Sequence, residues 1–523
     1  MRILWILAGV VGASAVAVAS PNAQFYTVIN DGDAITGDTF LAPEQVVVGD
    51  GGVVGMVAVA GSGNNVIIYS TQAPADQWNN QTVMEDNTPE SINGFGPGGA
   101  TETETMFNLN DLGMNSVSGT TSLTFGALNA NSPNDQGFLQ WNSSTASVGD
   151  VAFDGDSKGY GNIGASQQVN GSGQVLFPAT TGSSAYELVV GNTSSLTTIF
   201  PPSSGSYSLV SPSSRVALGS DGSAAAELDS SGIDGVYNVP ANGGTPTEVS
   251  GSLIPIHNNP SYQGEPVMGY VSNGGLSATL MLVTNSTGTS DDIVLSKNGS
   301  APQSILASQF SPGAGAPSPS LGEMSPDGRI AVYVPDNSGA DDTIQYANAA
   351  ASDTDASVIA SVAPKSGPVT SASIALNPSG SNLYIEALNE STGDWAPEVN
   401  DNGTIAFLAD VGASPTDPNP YTALLDWQPG AASPTVLLAV GDQVNIEGSP
   451  ETISNLYFNT LAGQSDFYNN SLSDDNYLAV QVGYNDGNSG AVLITQISVP
   501  EPTTMALLPM IGVGLLARRK RRH

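Results

Sequence analysis

The sequence predicts an all-β fold built from tandem repeats, and three observations support this fold class. Glycine and proline, on which turns depend, are abundant at 60 and 34 residues. Hydrophobic residues make up 40% of the chain, enough to build a core, so the composition argues against disorder throughout. Only 11% of the residues are charged, whereas long helices usually draw on Glu, Lys and Arg for their exposed faces. Short strands joined by many turns are therefore expected.

Residues 1–20 are expected to form a signal peptide that is removed from the mature protein. Arg2 is followed by an apolar stretch and then by the small residues Ala17, Ala19 and Ser20. This order is typical of a secretory signal peptide with an Ala-x-Ala cleavage site. We predict cleavage after Ala19; the alternative is a buried N-terminal helix.

A turn followed by a strand recurs along the body. The clearest copies are Asn170-Gly171-Ser172-Gly173-Gln174-Val175-Leu176-Phe177 and Asn400-Asp401-Asn402-Gly403-Thr404-Ile405-Ala406-Phe407, and a third begins at Ser325. Asn or Asp can start such a turn through its own backbone, and Gly supplies positive φ before an apolar strand. Weaker copies centre on Gly52, Gly113, Gly222, Gly275 and Asn476.

The copies define a loose period. Their turn positions, 52, 113, 173, 222, 275, 328, 403 and 476, are 49 to 75 residues apart, as expected for one supersecondary unit repeated with loop insertions. Units too small to bury their own faces must stack or close into a ring. A ring of four-stranded blades also protects strand edges. We predict a β-propeller of seven or eight blades over residues 21–498, with its ends meeting in one sheet; the alternative is an elongated β-solenoid.

A second element, a Gly-Asp turn, precedes two of the copies. It occurs at Asp31-Gly32-Asp33 and again at Val440-Gly441-Asp442. Together with the Asn-x-x-Gly-x-x-Ala-Phe strand, it resembles bacterial tandem-repeat surface proteins that carry interchangeable C-terminal anchors. The resemblance implies a propeller-like architecture and brings no catalytic residues with it.

Residues 499–523 form a tail that is expected to lie outside the fold. Val499-Pro500-Glu501-Pro502 interrupts strand structure, Met505 to Ala517 is apolar, and Arg518, Arg519, Lys520, Arg521 and Arg522 close the tail. A helix of thirteen apolar residues is roughly 20 Å long, short of the approximately 30 Å hydrocarbon core. The basic cluster should stay cytoplasmic, so we predict a transient stop-transfer helix with the body outside the inner membrane.

The order of Pro-Glu-Pro, short hydrophobic helix and Arg-rich end closely resembles the PEP-CTERM sorting tail of exopolysaccharide-producing Gram-negative bacteria. The resemblance covers about the last 25 residues. It implies that an exosortase-type enzyme cleaves near Pro500-Glu501-Pro502 and releases the protein or transfers it to another anchor, at the cell surface or in the extracellular matrix. The alternative is a simple membrane anchor.

The charge distribution disfavours nucleic acid as a partner. The formal net charge is −37, and the cations of the body are only Lys158, Arg215, Lys297, Arg329 and Lys365. Five dispersed cations cannot form a phosphate-neutralising surface. The sequence has no cysteine, which excludes disulfides and thiolate chemistry.

No catalytic constellation is visible, so the sequence predicts a protein that is not an enzyme. His257 is the one histidine outside the tail, and the strand-turn-helix context of a Gly-x-Ser-x-Gly elbow is absent. A pair of carboxylates could serve a glycoside hydrolase, and Trp78, Trp141, Trp395 and Trp427 could stack on sugars. The tryptophans could equally pack between hairpins.

Calcium is the one candidate ion, because hard cations prefer carboxylate and carbonyl oxygens. Asp31 with Asp33, and Asp154 with Asp156, are candidate ligands, although paired Asp in a turn is more often turn chemistry. The sequence thus predicts a non-catalytic exported surface or matrix protein, with extracellular polysaccharide as a candidate partner. The alternative is a secreted propeller lectin or glycan-acting hydrolase.

Overall fold

The architecture comes from a computed structural model of the chain. The structure describes residues 24–495 except for the segments 36–37, 74–76, 97–98, 118, 155–157, 165–167, 182–184, 201–206, 210–215, 231–233, 251–262, 272–275, 286–287, 298–302, 305–319, 322–323, 326, 335–341, 349–356, 363–367, 372–382, 389–396, 447–448 and 459–470. The predicted signal peptide and sorting tail lie outside the described residues.

The described part of the chain is all-β, as predicted, and its 38 strands form eight sheets, named I to VIII in chain order. Sheet I contains β1 (Gln24–Asn30), β35 (Gln443–Ile446), β36 (Ser449–Tyr457), β37 (Leu478–Tyr484) and β38 (Ser489–Thr495). Sheet II contains β2 (Ala34–Ile35), β3 (Asp38–Gly49), β4 (Val53–Ala60), β5 (Asn65–Ala73) and β6 (Gln77–Glu85). Sheet III contains β7 (Pro89–Gly96), β8 (Ala100–Val117), β9 (Thr120–Asn129), β10 (Ser132–Asn142) and β11 (Ser147–Phe153).

The other five sheets follow in chain order. Sheet IV contains β12 (Gln168–Val169), β13 (Val175–Thr180), β14 (Tyr186–Asn192) and β15 (Ser195–Phe200). Sheet V contains β16 (Tyr207–Leu209), β17 (Val216–Leu218), β18 (Ala224–Ser230), β19 (Asp234–Val239) and β20 (Thr247–Ser250). Sheet VI contains β21 (Gln263–Val271), β22 (Leu276–Asn285), β23 (Gly288–Lys297) and β24 (Gln303–Ser304).

Sheet VII contains β25 (Ser320–Leu321), β26 (Arg329–Val334), β27 (Thr343–Asn348) and β28 (Ser357–Ser361). Sheet VIII contains β29 (Thr370–Ser371), β30 (Tyr384–Leu388), β31 (Glu398–Val399), β32 (Ile405–Gly412), β33 (Tyr421–Trp427) and β34 (Thr435–Ala439).

Six sheets have the form of a propeller blade, and the number of blades therefore differs from the seven or eight predicted. Sheets I, II, IV, V, VI and VII are open and have four or five strands. Sheet III instead closes on itself, because β11 pairs in parallel with β7 at Val148 and Ile92. Sheet VIII carries six strands, with β29 added in parallel to β34. The spacing of the repeats in the sequence indicates how many there are, but it cannot show how the strands of each repeat pair within a sheet.

The sheets pack side by side through apolar cores. Sheets I and II share a core around Phe40, sheets VII and VIII share one around Phe407, and sheets VIII and I share one around Val480. Further cores join sheet II to III, III to IV and IV to V. Fully burying a side chain such as Phe407 contributes roughly 1.5–3 kcal/mol, so these cores are the main source of cohesion between sheets.

The ring is closed by the two ends of the body, as predicted. Strand β1 pairs antiparallel with β38, from Gln24 opposite Thr495 to Asn30 opposite Gly490. Tyr484 reinforces this closure by donating a hydrogen bond from its hydroxyl to Asn30 Oδ1 at 3.1 Å. Pairing of the first strand with the last is the closure of a ring and not of an elongated solenoid.

The strand after each repeat turn is apolar on both faces because it lies between two cores. Leu176 faces the core shared with sheet V, whereas Phe177 faces the core shared with sheet III. In sheet VIII, Ala406 and Phe407 likewise face opposite neighbours. These strands therefore read as continuous apolar runs instead of alternating with polar residues.

No helix among the described residues is long and apolar enough to cross a membrane.

Candidate functional site

A cavity of about 440 Å³ lies where the inner edges of seven of the eight sheets converge. Six of these sheets contribute residues from the same place, the end of the inner strand and the repeat turn that follows, whereas sheet III contributes Met114, Asn115 and Ser116 of β8. The lining residues are Val48, Gly49, Asp50, Met114, Asn115, Ser116, Val169, Asn170, Gly171, Ser172, Leu218, Ser220, Met324, Ser325, Val399, Asn400, Asp401, Leu472, Ser473 and Asp474. The repeats recognised in the sequence thus meet at one place, and we name the end of the ring that carries their turns the turn face.

The lining has an apolar layer. Each contributing sheet places one apolar residue at this inner edge, and in every sheet except sheet III that residue comes immediately before the turn. Six of these side chains belong to or pack against a core between two sheets, and the seventh, Met324, is buried. The seven residues are Val48, Met114, Val169, Leu218, Met324, Val399 and Leu472. Polar residues of the turns follow them toward the turn face.

The turn at Asn400 shows why this residue type begins a repeat. Asn400 Oδ1 accepts hydrogen bonds from the backbone N–H groups of Asn402 at 3.1 Å and Thr404 at 3.0 Å. Gly403 donates its N–H to the Asn400 carbonyl at 2.9 Å and has a φ of 79°, a conformation that glycine adopts at little cost. A Cβ at Gly403 would lie 2.9 Å from Pro429 Cγ.

The turn at Asn170 repeats this geometry. Its Oδ1 accepts from the N–H groups of Ser172 and Gln174, both at 3.0 Å. At Ser325 and Ser473 the hydroxyl replaces the amide oxygen and accepts one backbone N–H, from Arg329 at 3.1 Å and from Tyr477 at 3.0 Å. An Asn start and a Gly at positive φ are thus observed at Asn170 and Asn400, whereas Ser begins the turns at Ser325 and Ser473.

The asparagine amide also joins one repeat to the next. Asn400 Nδ2 donates to the Ser473 carbonyl and to Asn476 Oδ1, both at 2.8 Å. Asn170 Nδ2 donates to the Gly219 carbonyl at 3.0 Å. In both cases the acceptor carbonyl belongs to the first residue of the following turn. Asparagine therefore holds its own turn with its oxygen and the neighbouring turn with its nitrogen.

One predicted turn is wrong. Gly113 does not lie in a turn but within β8, where it pairs with Thr124. The turn of this repeat comes later, where Gly119 has a φ of 81°. The strand extends past Gly113 because β8 pairs with β9 as far as Val117 opposite Thr120. The turn predicted at Gly275 lies outside the described residues.

Aspartates form an acidic arc along the turns of sheets VII, VIII, I and II. Asp401 Oδ1 accepts the backbone N–H of Asp327 at 3.1 Å, and Asp474 Oδ1 accepts that of Asp401 at 2.9 Å. Asp475 Oδ2 accepts the N–H of Gly51 at 3.1 Å, so the bonds run across the junction between the end and the start of the ring. Asp50 completes the arc, because the backbone N–H groups of Asp475 and Asp474 bond its carboxylate.

Desolvation and mutual repulsion favour protons on this arc. Burial first, and then the charge of Asp474, raises the pKa of Asp401 to about 6. Burial also raises the pKa of Asp474, with Asp50, Asp327 and Asp475 adding repulsion. The pKa of Asp50 is raised by burial and by Asp475. The arc can accept protons or attract cations at the turn face.

The clustering of these aspartates is not predicted from the sequence, although the sequence carries a signal for it. Asp401 and Asp474 occupy the second position of their turns, and Asp50 belongs to the corresponding turn of sheet II. A ring brings equivalent positions of neighbouring repeats together, so an acidic residue shared by such turns predicts a cluster.

The calcium candidates Asp31, Asp33 and Asp154 lie in turns away from the cavity lining. Asp33 Oδ2 accepts the Asn30 N–H at 2.7 Å, and Asp154 Oδ1 accepts the Ile163 N–H at 2.8 Å. Asp442 in the second Gly-Asp turn repeats the first of these bonds, accepting the Ala439 N–H at 2.8 Å. The bonds of Asp33 and Asp442 stay within their own turns, as in ordinary turn chemistry, whereas the bond of Asp154 spans nine residues. Asp156 lies outside the described residues.

Within the described ranges, no group of three or more His, Cys, Asp or Glu side chains is placed to hold a metal ion.

The remaining candidates divide between core positions and positions outside the described part of the chain. Trp141 is buried and its ring centroid lies 4.6 Å from that of Tyr69. Trp427 packs on Tyr346 at 5.5 Å and donates its Nε1–H to the Ala431 carbonyl at 3.1 Å. Trp78 packs against the core of sheets I and II. Trp395, His257 and the residues predicted for signal cleavage, sorting and stop-transfer lie outside the described residues.

Comparison with known proteins gives structural matches alone. No family model matches the sequence, and no curated protein matches it. The β-propeller domain of the Trilobed protease from Pyrococcus furiosus, which has an open velcro topology, is 8% identical, with 76% of this chain and 98% of that one covered and a TM-score of 0.35. A lectin from Burkholderia pseudomallei is 12% identical, with 80% and 99% covered and a TM-score of 0.33.

A puromycin hydrolase is 10% identical, with a TM-score of 0.35 and 72% of this chain covered. This chain spans about half of the hydrolase, 53% of its length. At these identities and TM-scores the matches carry no argument about function. The propeller architecture described above rests on the strand pairing of this chain itself.

Proposed function

We propose that the chain is a non-catalytic exported surface or extracellular-matrix protein whose β-propeller body is sorted and processed through its C-terminal tail. In this proposal residues 1–20 direct export, residues 499–523 hold the chain in the inner membrane, and an exosortase-type enzyme cleaves near Pro500-Glu501-Pro502. Extracellular polysaccharide is the proposed partner of the body.

One observation carries the proposal of a scaffold role. The polar groups at the axis are used to join repeats: Asn400 and Asn170 bind the following turns, and Asp401 and Asp474 accept backbone N–H groups from neighbouring turns. A side chain that already holds its own scaffold is less available for binding or proton transfer. This arrangement supports a framework role for the repeats.

The tail supplies the support for sorting. Its Pro-Glu-Pro, apolar and basic parts stand in the order of a sorting signal. The apolar run of thirteen residues is short for a permanent span, so a transient membrane stage suits it better than lasting anchorage.

Fractionation of cells tests the proposal. The full chain is compared with a chain ending at Ser498 and with a chain carrying Pro500→Ala and Pro502→Ala. We expect the full chain to pass from the inner membrane to the surface, the shortened chain to miss the membrane stage, and the proline variant to accumulate in the membrane. A Ser498→Ala control should behave as the full chain. Identical distributions for all four proteins would exclude sorting by the tail.

A propeller lectin or glycan-acting hydrolase is the second candidate, and the axial cavity favours it. Its volume of about 440 Å³ falls within the usual range for small-molecule sites, roughly 300–1,000 Å³. Asp401, whose pKa is raised to about 6, lies beside Asp474, and glycoside hydrolysis uses two carboxyl groups in different protonation states. A glycan array tests this: binding that is lost in Asp474→Asn supports it, and no binding at millimolar sugar removes it.

A further inference from the structure

The axial cavity has an acidic half and an uncharged half. Asp50, Asp401 and Asp474 line it from sheets II, VIII and I. Sheets III, IV and V follow sheet II around the ring, and they contribute the uncharged polar residues Asn115, Ser116, Asn170, Gly171, Ser172 and Ser220. Among the described residues that line the cavity there is no Lys, Arg or His, so the lining itself does not balance the charge of the acidic half.

Asn115 places an unpartnered amide in the uncharged half. The residue is only 9% exposed, it lines the cavity, and its side chain forms no hydrogen bond with the described residues. Its Nδ2 lies beside the turn of sheet IV, 3.1 Å from where a Cβ on Gly173 would be. The Gly173 carbonyl there already accepts a hydrogen bond from Gln140 Nε2 at 2.9 Å. Asn115 therefore differs from Asn170 and Asn400, whose amides hold the repeats together.

An amide that is buried without partners indicates a ligand. Leaving a buried donor or acceptor without a hydrogen bond is costly, and most such groups in folded proteins have a partner. The amide of Asn115 offers both a donor and an acceptor. A group that can accept and donate at the same place, such as a hydroxyl, would satisfy it.

The amide and the acidic arc lie close to each other. Asn115 is followed by Ser116, whose Oγ is 2.5 Å from where a Cβ on Gly49 would be. Gly49 directly precedes Asp50, the end of the arc. One small molecule can therefore contact a carboxylate of the arc and the Asn115 amide together.

The acidic half favours a cationic group. Burial first, and then repulsion from neighbouring aspartates, raises the pKa of Asp50 and of Asp474, so the charges of the arc are not compensated. A carboxylate has acceptor sites on both oxygens, so Asp474 can bind a cation while it keeps the backbone N–H of Asp401. A bound ammonium group would relieve the repulsion within the arc and form charge-assisted hydrogen bonds.

The apolar layer favours an organic ligand over a bare metal ion. One apolar residue from each of seven sheets lines the cavity, and a metal ion gains nothing from such walls, whereas a molecule with C–H groups buries apolar surface against them. Within the ranges that the structure describes, no three acidic or histidine side chains are grouped to hold a metal ion. The volume of about 440 Å³ also gives room for a small molecule.

We infer that the axial cavity binds an amino sugar with a free, protonated amine, its ammonium group at the acidic arc and its hydroxyl groups at Asn115. A sugar hydroxyl both donates and accepts, as the amide requires, and the C–H groups of the ring suit the apolar layer. A simple alkyl amine supplies the charge and the apolar surface but no hydroxyl. The amino sugar gives a chemistry to the polysaccharide partner proposed above, and it rests on that proposal for the choice of a sugar.

Three matched disaccharides test the inference by isothermal titration calorimetry on the full chain at pH 7 and low salt. They are the β-1,4-linked disaccharides of glucosamine, N-acetylglucosamine and glucose, which differ in the group at C2: an amine, an acetamide or a hydroxyl. We expect the glucosamine disaccharide to bind on the order of tenfold more tightly than the other two, because it alone forms charge-assisted bonds with the arc. Added salt should weaken this preference. Putrescine and calcium chloride serve as probes of charge alone.

Two substitutions separate the halves of the cavity. Asp474→Asn should remove the preference for the amine, whereas Asp486→Asn, at an exposed turn residue outside the lining, should keep it. Asn115→Ala should weaken binding of the glucosamine disaccharide about fivefold, whereas Asn79→Ala, at an exposed position of β6, should not. Because the Asn115 amide makes no hydrogen bond within the described protein, Asn115→Ala should leave the thermal midpoint unchanged in the absence of sugar. A binding loss without a stability loss distinguishes a ligand contact from a structural role.

The outcomes separate the inference from the proposals beneath it. Equal binding of the three disaccharides would overturn the role of the amine and leave a sugar partner standing. Binding of putrescine or calcium as tight as that of the glucosamine disaccharide would overturn the sugar and show a general cation site. If no disaccharide binds at millimolar concentration, the inference and the lectin candidate both fail, while export and sorting stand or fall by fractionation. Amine preference that is lost in Asp474→Asn, with weaker binding in Asn115→Ala, supports the inference.

Discussion

Replacing Asn400 by aspartate tests whether the asparagine amide joins consecutive repeats. The change keeps an oxygen that can accept the N–H groups of Asn402 and Thr404, and it removes both donations from Nδ2, to the Ser473 carbonyl and to Asn476 Oδ1. Asn400 is only 3% exposed, so the abandoned acceptors cannot readily turn to water. The new carboxylate would also face Asp474 across the acidic arc.

The expected loss of stability follows from these contacts. Two hydrogen bonds at about 0.5–1.5 kcal/mol each give about 1–3 kcal/mol, and burial of the new charge adds to this. The assay is equilibrium urea unfolding at pH 8, where the new carboxylate is ionised. Asn79→Asp, which adds the same charge at an exposed position of β6, serves as control and should change stability by less than about 0.5 kcal/mol. Equal effects of the two substitutions would show that charge, and not the bond between repeats, accounts for the loss.

Two further predictions concern pH and buried charge. Because the pKa of Asp401 is raised to about 6, the folded state binds the Asp401 proton more tightly than the unfolded chain does. Protonation of Asp401 therefore stabilises the fold below pH 3.8, and this stabilisation is lost as the pH rises to about 6. Asp401→Asn should flatten the curve of stability against pH between pH 3.8 and 6. The control Asp417→Asn, at a carboxyl whose pKa is lowered, should leave this part of the curve unchanged. An unchanged slope in Asp401→Asn would contradict the raised pKa of Asp401. Asp426 is 2% exposed, its Oδ1 has no hydrogen-bond partner, and burial raises its pKa to about 7. The stabilisation from its protonated form is likewise lost as the pH rises through 7, and above that pH a buried charge opposes folding. Asp426→Asn removes this charge and should raise the free energy of unfolding at pH 8 on the order of 2 kcal/mol. A thermal shift that is the same at pH 5 and pH 8 would contradict this reasoning.

Local chemistry explains what the sequence could predict. The turns at Asn170 and Asn400 are predictable because each has an Asn side chain, then a Gly at positive φ, then an apolar strand. Each of these features acts over a short range in the sequence. The pairing of the first and last strands was also predictable, because a ring of repeats needs closure. The turn predicted at Gly113 is wrong because a glycine within a long strand gives the same local sequence signal as a glycine in a turn.

What the sequence could not predict depends on neighbouring repeats. That Asn400 Nδ2 reaches Ser473 depends on how sheets VIII and I are placed beside each other. The same is true of the repulsion between Asp401 and Asp474, which are 73 residues apart in the chain. The closure of sheet III and the extra strand of sheet VIII arise from parallel pairings that no turn motif marks.

The proposal that the chain is an exported β-propeller protein, sorted and processed through its tail, is tested at the C-terminus of the surface form. Mass spectrometry of protein recovered from the cell surface or matrix should find a chain that ends near Pro500, Glu501 or Pro502. Surface protein that keeps Arg518 to Arg522 intact would contradict the account.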